Sequence, residues 1–418
     1  MPRFDLVVLL LVLAAPLRAE SPWEPSLAKA LSKAQASRQR VLADFTAPWC
    51  YSCYYMEKNV LGGPAFAAAA RGLVLARIDV DKPEGRALKQ KYRVNFLPTF
   101  LVLDAAGKET GRILGEQREE DFVAHLGALA AASPASDEDR AVIRLEGLAN
   151  GDDLAAAVAF AARPEPARLE ALRSRADWKR LELRLSLKRR PTAKDLAAMV
   201  ELNDGCDLAY DLEAALREKL PQAPLAELRP KLEAWAGRRT WAAPGERCAD
   251  FRSGVEAMAD YYEGLGDHAA KAALLDRAAL LTASESDRAG LGQNRNLDDN
   301  RRFFLEAAGK DKEVEALYPR LVAAYPADYV YAYRFAKWLA GKGRPADALP
   351  WIEKADALCY GANRLAVTKV RAEVLDALGR RPEAAALVRR EIKAYRALLP
   401  DETKALEQLL ASWSARKG

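Results

Sequence analysis

Histidine is almost missing from this chain: there are two in 418 residues, His125 and His268, far from each other and from every cysteine. Cys-His and Ser-His nucleophilic machinery therefore has no base, and a metal site lacks the spaced imidazoles it would need. No nucleotide or flavin fingerprint is present, so no cofactor is expected. Neither sign of charge dominates. With 64 basic and 59 acidic side chains and a net charge of +5, the surface has no dedicated nucleic-acid face. After the N-terminus no apolar run approaches the roughly 18 residues of a membrane span. Cysteine is sparse as well: of five, only Cys50 and Cys53 lie close together.

That pair is the most informative feature present. Cys50-Tyr51-Ser52-Cys53, preceded by Trp49, reads as a dithiol/disulfide redox centre. A thiol at a helix N-terminus has its thiolate favoured by unpaired backbone N–H groups and by the dipole. A lone CxxC is also half of a zinc site, but no second CxxC or histidine pair completes four ligands. The surroundings fit a strand-helix-strand unit. Residues 41–45 read as a buried parallel strand, 54–70 as helix and 73–80 as a second strand, with the cysteines at the first strand-to-helix turn. A short polar helix over 82–92, a strand over 100–103, turn residues at 104–108, a strand over 109–114 and a helix over 117–129 complete the set.

These residues resemble the thioredoxin superfamily over about residues 24–130. The resemblance rests on Asp44 to Cys53, on Asp79-Val80-Asp81 and on Leu97-Pro98-Thr99. With Met56-Glu57-Lys58 after the cysteines, it is similar in detail to the C-terminal thioredoxin domain of the periplasmic thiol:disulfide interchange reductases. Pro48, where thioredoxins often carry an acid, and Tyr51-Ser52, in place of Gly-Pro, depart from the pattern, so the redox poise does not transfer. The resemblance implies that Cys50 attacks a substrate disulfide and that Cys53 resolves the mixed disulfide from a more buried position. It implies that Asp44 handles the resolving thiol's proton, its carboxyl pushed up by desolvation. Pro98 would be cis and lie against the disulfide, and Trp49 would shield one side. Plainer readings stand beside these: a structural carboxylate, an ordinary loop proline, a packing tryptophan.

Arg3, an apolar run over 6–15 and Pro16-Leu17-Arg18-Ala19 read as a secretory signal peptide over residues 1–19, with an uncleaved anchor as the alternative. The expected location is periplasmic or secreted, where disulfides persist. Cys206 and Cys248, 42 positions apart, are one candidate structural pair, which would contribute about 4 kcal/mol in the chain-entropy model. Cys359 would then be a buried small hydrophobe, although other pairings of the three stay open.

A thioredoxin-like unit over 20–131 would end at a break over 132–137, Ala132-Ser133-Pro134-Ala135-Ser136-Asp137. Beyond it the chain lacks alternating strand patterns and is expected to be all helical, irregular over 138–249 and repetitive over 250–418. Residues 339–349 recur approximately at 377–384, with looser versions at 264–267 and 308–311, and Ala316, Ala348 and Ala384 are 32 and 36 apart. This resembles tetratricopeptide repeats, which stack into a solenoid with a concave face suited to an extended partner. Tyr329, Tyr331, Tyr333, Phe335, Trp338 and Trp351 would line such a groove or fill its core.

The expected fold is therefore an α/β thioredoxin unit followed by an all-α solenoid. The expected function is an exported thiol-disulfide oxidoreductase that exchanges disulfides with client proteins and binds a protein partner on its repeats; its direction stays open between reductase and isomerase, and such a role would need a membrane thiol carrier as electron donor. The alternative is an assembly scaffold in which the CxxC is a static clip.

Overall fold

The computed structural model describes residues 22–130, 136–149, 154–216 and 220–415; the expected leader and most of the 132–137 break lie outside the described residues. The N-terminal unit contains β1 (Trp23–Glu24), α1 (Leu27–Ser37), β2 (Arg40–Thr46), α2 (Tyr51–Asn59), α3 (Pro64–Ala69), β3 (Leu73–Asp79), α4 (Pro83–Lys91), β4 (Thr99–Leu103), β5 (Glu109–Leu114) and α5 (Glu119–Ala130). The sheet order is β1-β3-β2-β4-β5, with β1, β3 and β2 parallel and β4 and β5 antiparallel. β2 is central and buried along its length, which explains its run of apolar residues rather than an alternation. Its side chains still divide by period two: Val41, Ala43 and Phe45 pack with Ala30 and Val94, whereas Leu42 packs on the other face with Met56, Phe100 and Phe122. Asp44 follows Leu42 by two and so falls on that second face.

The helix expected over 54–70 is two helices. Val60 caps α2, and Gly62-Gly63-Pro64 turns the chain into α3, with Pro64 at its first helical position. Beyond residue 136 every described element is a helix. The irregular stretch comprises α6 (Asp137–Ala149), α7 (Leu154–Ala161), α8 (Pro166–Ser174), α9 (Ala176–Arg189), α10 (Ala193–Leu202), α11 (Leu208–Leu216), α12 (Gln222–Glu227) and α13 (Arg229–Arg239).

Four longer pairs then follow: α14 (Phe251–Gly264) with α15 (His268–Ala289), α16 (Arg295–Ala307) with α17 (Asp311–Ala324), α18 (Val330–Gly341) with α19 (Pro345–Leu358), and α20 (Asn363–Ala377) with α21 (Arg381–Tyr395). The described part ends in α22 (Pro400–Ala415). Each pair turns at a glycine of positive φ, namely Gly266, Gly309, Gly343 and Gly379. Tyr329, Tyr331 and Phe335 are buried in the core these pairs share, and Tyr333, Trp338 and Trp351 pack against it, so the aromatic run is core and not a groove lining. Cys206 and Cys248 are joined, tying the α10–α11 turn to the segment before α14. Cys359 is free and buried at the end of α19. Among the described residues no helix is long and apolar enough to cross a membrane.

Candidate thiol-disulfide centre

Cys50 is the N-cap of α2, its extended backbone ending the loop after β2. Its Sγ accepts the Cys53 amide at 3.1 Å, so the sulfur itself satisfies one of the helix's open N–H groups. The two sulfurs are bonded at 2.06 Å. The Leu97–Pro98 peptide is cis, and the Pro98 carbonyl accepts the Gly115 amide at 2.9 Å. Asp44, Cys53 and Pro98 line one cleft of about 780 Å³. Trp49 is 39% exposed, its indole N–H donating to Asp81 Oδ2 at 2.9 Å.

Asp44 is 3% exposed, with Arg77 directly opposite on β3 donating to its Oδ2 at 3.1 Å. Burial pushes its carboxyl from 3.8 up to about 6; the Arg77 charge and hydrogen bond pull the other way and lose.

Both cysteines are buried, Cys50 5% exposed and Cys53 7%. The helical part packs on the cysteine face. Asn296 Nδ2 donates to the Tyr51 carbonyl at 3.0 Å and Arg334 Nη2 to the Trp49 carbonyl at 3.1 Å, so the backbone is held on both sides of Cys50. Arg252 lies 4.3 Å over the Tyr51 ring and Arg295 4.3 Å over that of Tyr54. Arg334 also pairs with Asp299, which is fully buried and shared with Arg252 and Arg302. These arginines hold the Asp299 carboxyl far below the usual range despite its burial.

Three further contacts flank this centre. Tyr360 Oη donates to Asp79 Oδ2 at 2.7 Å, and the Ala362 amide donates to the Asp81 carbonyl at 3.1 Å. On the other side Phe96, just before the cis-proline, meets Tyr210 edge-on at 5.5 Å. Glu116 is buried with Oε2 unpartnered, and burial, with the Asp250 carboxylate adding to it, pushes its carboxyl well up. Sequence reasoning did not find Glu116 or the helical residues, since no local pattern marks contacts 199 to 285 positions apart. The two histidines lie away from the centre: His125 pairs with Gln117 and His268 with Glu263. No group of side chains suited to a metal occurs among the described residues.

A disulfide at a strand-to-helix turn, a buried carboxyl beside it and a cis-proline on one cleft define a thiol-disulfide oxidoreductase centre on a thioredoxin fold. The sequence profile described as "Thioredoxin-like domain" matches residues 27–130. A thioredoxin H-type of Oryza sativa subsp. indica is 33% identical over 111 residues, 25% of this chain and 84% of that protein. Through this N-terminal domain the chain belongs to the thioredoxin family. It is also similar to the thiol:disulfide interchange protein DsbD of Pseudomonas fluorescens, 42% identical over 108 residues, 25% of this chain but 18% of that protein. The chain thus matches under a fifth of that relative's length. Among solved structures, a thioredoxin from Thermus thermophilus is 31% identical with a TM-score of 0.25, covering 28% of this chain and 96% of its own.

Proposed function

We propose that this protein is an exported thiol-disulfide oxidoreductase in which Cys50 and Cys53 exchange disulfides with client proteins. The observation that carries the reading is the bonded Cys50–Cys53 pair at the N-terminus of α2, sharing its surroundings with cis-Pro98 and Asp44. In the reducing direction the Cys50 thiolate bonds one sulfur of a client disulfide, and the other client sulfur leaves with the electron pair. Cys53 then attacks Cys50, its proton passing to Asp44. The client departs as a dithiol and the pair is left oxidised. A membrane thiol carrier would restore the pair. The first nineteen residues would serve as a cleaved leader, and residues 20–131 would form the redox unit. The helices over 250–418 would form a tetratricopeptide-like arm for a protein partner, joined through the less regular 138–249.

Replacing Cys53 by Ser leaves the first exchange possible and removes the second. Incubated with exported extract, Cys53→Ser is expected to accumulate mixed disulfides through Cys50 that Cys50→Ser/Cys53→Ser does not form. Absence of any adduct would sink the catalytic reading.

The low exposure of both sulfurs favours a second reading, a static clip within an assembly scaffold. Titration against glutathione separates the two: a clip resists reduction to below about −300 mV, whereas a catalytic pair responds near the compartment's poise.

A further inference from the structure

The face on which a thioredoxin unit would meet its client is already covered in this chain. The backbone beside Cys50 is hydrogen-bonded by Asn296 and Arg334, and the loop before cis-Pro98 lies against Tyr210. The 79–81 loop is bonded by Tyr360 and the Ala362 amide. At that last junction the backbones touch: a Cβ on Gly361 would lie 1.9 Å from the Asp81 carbonyl oxygen. What remains open is the cleft of about 780 Å³, walled by Asp44, Cys53 and Pro98 on one side and by Arg295, Tyr325 and Tyr360 on the other. That volume is the scale of a small ligand or a few extended residues, not of a folded domain.

We propose that the helical part is a size sieve on the redox centre: closed, it admits small or extended thiols to the disulfide through the cleft at Cys53, and folded protein partners react only when the two parts separate. The inference rests on the redox reading above and adds the class of partner that the closed form excludes. A small dithiol entering the cleft bonds Cys53 Sγ through its first thiolate. The Cys50–Cys53 bond breaks, and Cys50 takes the electron pair and a proton. The reagent's second thiolate then closes its own ring and releases Cys53 as a thiol, so two electrons and two protons have passed from reagent to pair. A folded partner waits for the open form, so its rate is scaled by that form's population, here taken at or below about 10%.

The test uses the full oxidised chain and two reductants, dithiothreitol and a separately folded, reduced thioredoxin. Gly361→Val drives a side chain into the Asp81 carbonyl and wedges the junction. Asn296→Ala/Tyr360→Phe removes two bonds across it and serves as the milder variant should the wedge impair folding, which far-UV circular dichroism reports. In either variant the ratio of the thioredoxin rate to the dithiothreitol rate is expected to rise by about 10-fold or more. A ratio that does not rise in a folded variant overturns the sieve while leaving the redox centre standing. Failure of dithiothreitol to reduce the pair in any of the chains overturns the redox reading and the sieve with it.

Discussion

Asp44 shows how one residue ties the fold to its chemistry. Its place on β2 is fixed by alternation with Leu42, and burial there lifts its carboxyl to about 6 from 3.8. A carboxyl raised in this way favours the fold while protonated. That contribution is complete well below pH 3.8 and is lost as the pH climbs through about 6, amounting to about 3 kcal/mol in all. Urea unfolding at pH 4 and pH 7 is expected to show the unmodified chain losing about 2 kcal/mol more over that interval than Asp44→Asn. The same substitution is expected to flatten the rise near pH 6 in the rate at which Cys53 resolves a mixed disulfide; a rise that persisted would remove Asp44 from the proton path. The raised carboxyl was readable in advance, because an acid inside an apolar strand is desolvated; its place in the proton path came only from the resemblance, beside which a structural carboxylate stood open.

Among the elements, the helical hairpins depend on backbone that only glycine adopts freely. Gly343 has φ 72° and nothing within 4 Å of where a Cβ would stand, so Gly343→Ala carries the conformational cost alone. It is expected to lower the unfolding free energy by about 1 kcal/mol, measured by chemical denaturation. Such turns were visible as Gly-containing motifs that recur along the chain. Four of the five strands were visible too: β5 runs from Glu109 to Leu114, where turn residues and short apolar stretches placed it, whereas the two-residue β1 was not expected. The break between α2 and α3 was not anticipated, although Gly62-Gly63-Pro64 carried the signal. The apolar spacing continues on either side, and periodicity alone does not register a turn that returns to the same face.

At the scale of the whole molecule, sequence disclosed the parts and not their mutual placement. Tyr360 reaches Asp79 across 281 positions and Arg334 reaches Trp49 across 285, and neither residue belongs to any pattern that names its partner. The Cys206–Cys248 bridge lies between these extremes: the two sulfurs were one candidate pairing among three cysteines, and only their apposition resolved it. Closing 42 positions restricts the unfolded chain, so Cys206→Ala/Cys248→Ala is expected to lose about 4 kcal/mol in urea unfolding, with α11 to α14 loosening first in hydrogen exchange. Cys359, left unpaired, is 7% exposed, and burial pushes its thiol up to about 12. A chain that carries an exchangeable disulfide risks entangling its own spare sulfhydryl. By walling that group off and denying it ionisation, the helical part lets an odd number of cysteines persist without the chain knotting itself into wrong cross-links.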